Sequence, residues 1–207
     1  MGKLLAVLNA LIVVVYPVAV YFSLTRLGAR GAGLVLAALL LPGIAQRLRS
    51  ARREDLLAVL RLPLSVLALL GLAAALDDPR LVLALPVLIN LALLAQFASS
   101  LWGTPLVERF ARMQQANLGP AQVAYCRAVT KVWCGFFLLN GGTAAALALS
   151  APLSWWTLYN GLLAYVAMGV LGASEYVVRK ARFREYGPGL HDRLLARIFP
   201  PHAEAPR

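Results

Sequence analysis

Charge is scarce in this chain, and acidic charge scarcest. Of 207 residues only 14% are charged, with nine Asp or Glu against 20 Lys or Arg, two His and two Cys. Soluble domains carry about 25% charged residues. With 60% of the residues hydrophobic, a soluble fold of this length is excluded, because so much apolar surface cannot all be hidden from water. No His, Cys, Asp or Glu stand at metal-ligand spacing, and phosphate-binding loops and nucleophile motifs are missing too. Cys126 and Cys134 lie about two helical turns apart, too far along one axis for a disulfide, and read as packing residues. A net charge of +11 raises the question of nucleic acid. The Lys and Arg residues, however, sit in short groups between apolar runs, as the flanks of membrane spans do. Nucleic acid is therefore not an expected partner; the lipid bilayer is.

What the chain has in abundance is long uncharged stretches. Residues 4–25 are free of charge and long enough to cross a bilayer at 1.5 Å per residue. Pro17, Tyr16 and Tyr21 interrupt any signal-peptide core there and no cleavage site follows, so the segment is read as a retained helix. Residues 28–46, with Pro42, are the weakest segment: a span if Arg30 snorkels to the interface, a re-entrant piece otherwise. Further spans are expected at 56–76, 81–101, 132–149 and 156–177, with Trp155 and Trp156 suited to an interface. Leu106, Phe110 and Met113 recur at helical spacing within the long polar connection 102–131, and Pro120 is placed to start the next helix. Leu190, Leu194, Leu195, Ile198 and Phe199 oppose Arg193 and Arg197 in the tail. Both patterns predict amphipathic helices lying on the membrane. The expected fold is all-α: a polytopic transmembrane helical bundle of about six spans over 1–186, with a basic tail over 187–207.

Counting cations orients it. With six spans, sixteen of the twenty Lys and Arg fall on one face and only Arg26, Arg30 and Arg80 on the other, Arg61 lying within a span. By the positive-inside rule both termini are then cytoplasmic. The same asymmetry favours crossing by residues 28–46.

Several motifs, taken in order, resemble the intracellular septation protein A family of small bacterial inner-membrane proteins. They are Leu76 to Arg80 (an acidic turn ahead of a span), Pro86 to Asn90, Gly103 to Arg109 with Met113, and Trp133 to Phe137 with Asn140. The likeness covers most of residues 40–175. Thr104 stands where the family has lysine, Ala84 and Leu85 where it has Trp and Lys, and the tail beyond Tyr186 is longer and more basic. The chain thus resembles a diverged branch, one of which looks like the small membrane proteins encoded beside aryl-polyene pigment pathways. The resemblance implies residence in the inner membrane and a role in envelope maintenance or septation, with membrane proteins of envelope synthesis or division as partners. It implies no reaction and no cofactor.

Candidate sites are few. Glu175 is the one acid inside an apolar segment, and Arg179 and Lys180 follow it at helical spacing. An ion pair along the helix is preferred to a functional carboxylate. Asp77, Asp78 and Arg80 read as a turn carrying its own countercharge before a binding site. Asn90, Gln96, Asn140 and Asn160 are amides in apolar surroundings, where an unpaired amide is costly, so each is expected against another helix or a polar cavity. Packing is preferred, because Gly141 and Gly142 follow Asn140 and Gly161 follows Asn160, permitting close approach. Arg47, Arg49, Arg52, Arg53, Arg109, Arg112, Arg179 and Lys180 are solvated flanks that also suit anionic lipid headgroups. Three functions follow. The first is a non-enzymatic envelope protein acting through partners, and the second an accessory or carrier for a lipid or aryl-polyene-type intermediate. The third, a membrane-embedded enzyme, lacks converging acids or histidines and is not favoured.

Overall fold

In a computed structural model of the chain, the backbone is described for residues 2–50, 56–115, 117–187 and 189–200. Side chains are described from residue 17 onward, except 46–50, 56–59, 61, 62 and 190 in those ranges. The fold is all-helical. In order come α1 (Gly2–Ser50), α2 (Leu56–Leu76), α3 (Pro79–Leu83), α4 (Leu85–Ser100), α5 (Leu106–Gln114), α6 (Pro120–Ser150), α7 (Leu153–Leu158), a π-helical turn (Tyr159–Leu163), α8 (Ala164–Phe183) and α9 (Leu190–Ile198).

Among the described residues, four helical stretches are long and apolar enough to cross a membrane: Pro17–Ala45, Pro79–Ser100, Pro120–Ser150 and Leu153–Phe183. Against the expected six, about four such stretches are found among the described residues. The expected segments 4–25 and 28–46 both lie in α1, which is two helices joined across a kink at Gly28 (φ 69°, ψ −175°). Helix α2 is 21 residues long, and Pro63–Leu76 is the part of it whose side chains are described without a gap. Glycine alone takes a positive φ without steric cost, so the break falls where the sequence allows it. Before the break, Pro17 lies against Gly161; after it, α1 crosses α2 closely. A Cβ on Gly33 would meet the Leu70 carbonyl oxygen at 2.7 Å.

Asp77 and Asp78 explain the next connection. The Arg30 backbone N–H, left over by the Gly28 break, donates to Asp77 Oδ1 at 2.9 Å, and Arg30 Nε donates to the Ala74 carbonyl at 3.2 Å. Asp78 Oδ1 accepts from the Arg80 N–H at 2.9 Å and caps α3, with Pro79 opening it. Pro86 has no N–H to donate, the helix breaks at Ala84, and the Leu83 carbonyl accepts the Trp156 indole N–H at 3.2 Å. Trp156 is therefore core, together with Val20, Leu36, Leu70, Val82 and Leu85, while Trp155 is exposed. The interfacial role expected for Trp156 is replaced by packing. This cluster gathers the Gly28 break, the Asp77–Arg80 turn and the α6–α7 connection at one end of the bundle.

At the opposite end, helix α6 starts at Pro120, the expected helix start, and runs without interruption through the expected span 132–149. Its 31 residues rise about 46 Å at 1.5 Å each, against a hydrocarbon thickness of about 30 Å. Helix α8 likewise runs on to Phe183. Both project beyond what a bilayer core needs, and α5 and α9 pack against the projecting parts. The long helices keep their apolar side chains outward: in their most apolar windows between 6% and 22% of residues are buried. Leu39, Leu91, Leu139, Leu149 and Val170 are exposed, the surface lipid would cover.

Candidate functional site

The amides are paired inside the bundle. Asn140 Nδ2 on α6 donates to Asn90 Oδ1 on α4 at 3.0 Å, and Asn140 Oδ1 accepts from the Tyr159 hydroxyl at 2.8 Å. Asn90 Nδ2 donates to the Pro86 carbonyl at 2.8 Å and Asn160 Nδ2 to the Trp156 carbonyl at 2.9 Å. Pro86 and Trp156 are each four residues back on the same helical run, so these last two bonds are local. Gly141 lets α4 and α6 close on the pair: a Cβ there would stand 2.9 Å from Asn90 Cβ. Gln96 is exposed on α4, away from this chain of bonds.

Charged side chains converge instead at the end where α6 and α8 project. Ser100 Oγ accepts the Leu106 N–H at 2.9 Å and so closes the turn into α5. Arg127 from α6 donates to the Leu101 and Gly103 carbonyls at 2.7 and 3.1 Å, a cation on helix-end carbonyls. Helix α5 brings Glu108, 5% exposed, with Arg112 at 2.7 Å. Helix α8 brings Glu175 with Arg179 at 3.6 Å, the ion pair expected along that helix. Arg109 points away and donates to the Thr104 carbonyl at 3.0 Å. The side chains of Arg47 and Arg49, and all of Arg52 and Arg53, lie outside the described residues.

The tail folds back onto this end. Arg184 turns the chain in the left-handed region (φ 54°) after α8. Asp192 on α9 then accepts from the Tyr176 hydroxyl, from the Gly187 N–H and from Lys180 Nζ, the last at 3.1 Å. The Tyr176 hydroxyl bond, then the Gly187 N–H and Lys180, hold its carboxyl down at about 2 despite burial, which opposes ionisation. Gln122, after closing its own helix start on the Gly119 N–H, donates to the Glu185 carboxylate at 2.9 Å.

Two adjoining cavities result. The larger, about 540 Å³, is bordered by Gln114, Tyr125, Cys126, Tyr176, Lys180 and Asp192. The smaller, about 290 Å³, has Phe97, Val107, Phe110, Trp133 and Phe137 on its walls, with Glu175 at its edge. Arg179 and Cys126 border both. Phe97 and Phe137 meet edge-on at 5.1 Å between ring centres, and Trp133 lies 5.7 Å from Phe137. Sequence reasoning had Glu175, Arg112, Arg179 and Lys180 among its candidates, and the structure brings them to one end. It missed Asp192 and the aromatic wall. The i, i+4 spacing of Trp133 and Phe137 was the available signal for the wall. Neither cavity is lined by Asn90, Asn140 or Asn160. Comparison with known proteins yields no matching family model, no matching curated protein and no matching solved structure.

Proposed function

We propose that this chain is a non-enzymatic, multi-pass protein of the bacterial inner membrane, with both termini cytoplasmic. In this reading it supports envelope maintenance or septation by binding membrane-protein partners at its charged end. One observation carries it: the amides Asn90, Asn140 and Asn160 are paired within the bundle, whereas α5, α6, α8 and α9 assemble charged groups around open cavities at one end. Binding capacity is concentrated there. The excess of cations supports a cytoplasmic placement of that end.

A photo-crosslinking residue at exposed Arg193 in the full chain tests the reading. Capture of membrane proteins of envelope synthesis or division, with altered cell shape on deletion, is expected. Normal shape on deletion and no such capture would contradict it. The second reading, an accessory or carrier for a lipid or aryl-polyene-type intermediate, is favoured by a different observation, the aromatic wall of the smaller cavity.

A further inference from the structure

The smaller cavity is chemically two-sided. Phe97, Phe110, Trp133 and Phe137 offer apolar and aromatic surface, while Arg179 stands where this cavity meets the larger one. Its depth can be read along α6. Trp133 and Phe137 lie about 26 and 20 Å from Ser150 at 1.5 Å per residue, and Cys126 about 36 Å. With Ser150 at one face of a hydrocarbon layer about 30 Å thick, the aromatic wall falls within lipid depth. The Cys126–Arg179 region then falls at the far surface.

Arg179 also differs from its charged neighbours. Lys180 holds Asp192, Gln122 holds Glu185, and Arg112 holds Glu108. Arg179 Nε is buried and makes no hydrogen bond, the single such side-chain atom among the described residues. Glu175 at 3.6 Å compensates its charge without meeting it at bonding distance, and the guanidinium rests 5.7 Å above the Tyr176 ring. A buried donor left unpaired is costly, and an incoming oxyanion would satisfy it. Phe110 lines the cavity yet is half exposed, so the apolar side opens past α5, where Met113 is exposed as well.

We propose that this cavity binds an anionic amphiphile: a long alkyl or alkenyl chain on the wall formed by Phe97, Phe110, Trp133 and Phe137, with its carboxylate or phosphate head against Arg179. The volume fits part of a chain. With the adjoining cavity it lies in the range of ordinary ligand sites, about 300–1,000 Å³. This inference rests on reading the charged end as a binding site. The two fail separately, because amphiphile binding is measured on purified protein and partner capture in cells.

The test uses the full chain in nanodiscs of phosphatidylcholine, with quenching of tryptophan fluorescence by bromine-labelled probes. A brominated long-chain fatty acid and brominated phosphatidic acid are expected to quench saturably, and Trp133→Phe to remove most of that quenching. Arg179→Gln should weaken binding by about tenfold or more, the scale of a charge-assisted hydrogen bond. Arg179→Lys, which keeps the charge and guards against misfolding of the first variant, should weaken it less. Arg197→Gln, an exposed control at the same end that lines neither cavity, should leave it unchanged. Equal quenching by brominated phosphatidylcholine, or unchanged binding in Arg179→Gln, would overturn the proposal. Displacement of the fatty acid by equimolar inorganic phosphate would also overturn it, by showing a site for the anion without the chain.

Discussion

Asn140 both donates and accepts, to Asn90 and from Tyr159, and this ties α4, α6 and the π-helical turn at one depth. Interhelical hydrogen bonds in membranes contribute about 0.6–2 kcal/mol. Asn140→Ala leaves two neighbours short of a partner and is expected to destabilise the protein by about 1–3 kcal/mol. In a double-mutant cycle with Asn90→Ala, read by unfolding in mixed micelles, a coupling of about 0.6–2 kcal/mol is expected. A coupling near zero would show that the pair does not hold the helices. That amides in apolar segments must find partners was legible in the sequence. Which partners was not, since the Asn90–Asn140 pairing depends on α4 and α6 running antiparallel in one register. Gln96 has the same chemistry as its neighbours and faces outward, and no local pattern separates it from them.

At the scale of elements, helix length is where sequence and structure part. Arg127 and Lys131 read as the end of an apolar segment, yet α6 continues through both. Backbone hydrogen bonding, not lipid, decides how far a helix runs, and the Arg127 guanidinium reaches carbonyls outside its own helix. At Gly28 the two agree, because the expected boundary between 4–25 and 28–46 coincides with the kink in α1. Docking of α9 was hidden: it needs the left-handed turn at Arg184 to bring Asp192 onto Tyr176 and Lys180. The Asp192 carboxyl titrates at about 2 in the folded chain, below the ordinary value of about 3.9. Because the folded value is depressed, its contribution is complete above about pH 4 and is lost as pH falls toward 2. A spin label at exposed position 198 is expected to stay ordered at pH 5 and above and to become mobile between about pH 4 and 2. Asp192→Asn should show the mobile spectrum already at pH 7. Identical spectra for both proteins at every pH would contradict the docking role.

For the whole molecule, the scarcity of charge together with the long uncharged runs made an all-helical fold with apolar surfaces facing outward legible, and among the described residues four long helical stretches display them. The number of spans was less legible: six apolar runs were expected, and about four stretches among the described residues are long and apolar enough to cross. The location of the charged end was half legible. Basic clusters marked one face, but the cavities there depend on side chains contributed by α4, α5, α6, α8 and α9 together. The proposed binding role requires this charged end to face the cytoplasm. A dual reporter fused after Arg184, scored for cytoplasmic fluorescence and periplasmic phosphatase activity, tests its placement most directly. Fluorescence without phosphatase activity is the predicted result; phosphatase activity from that fusion would contradict a cytoplasmic charged end.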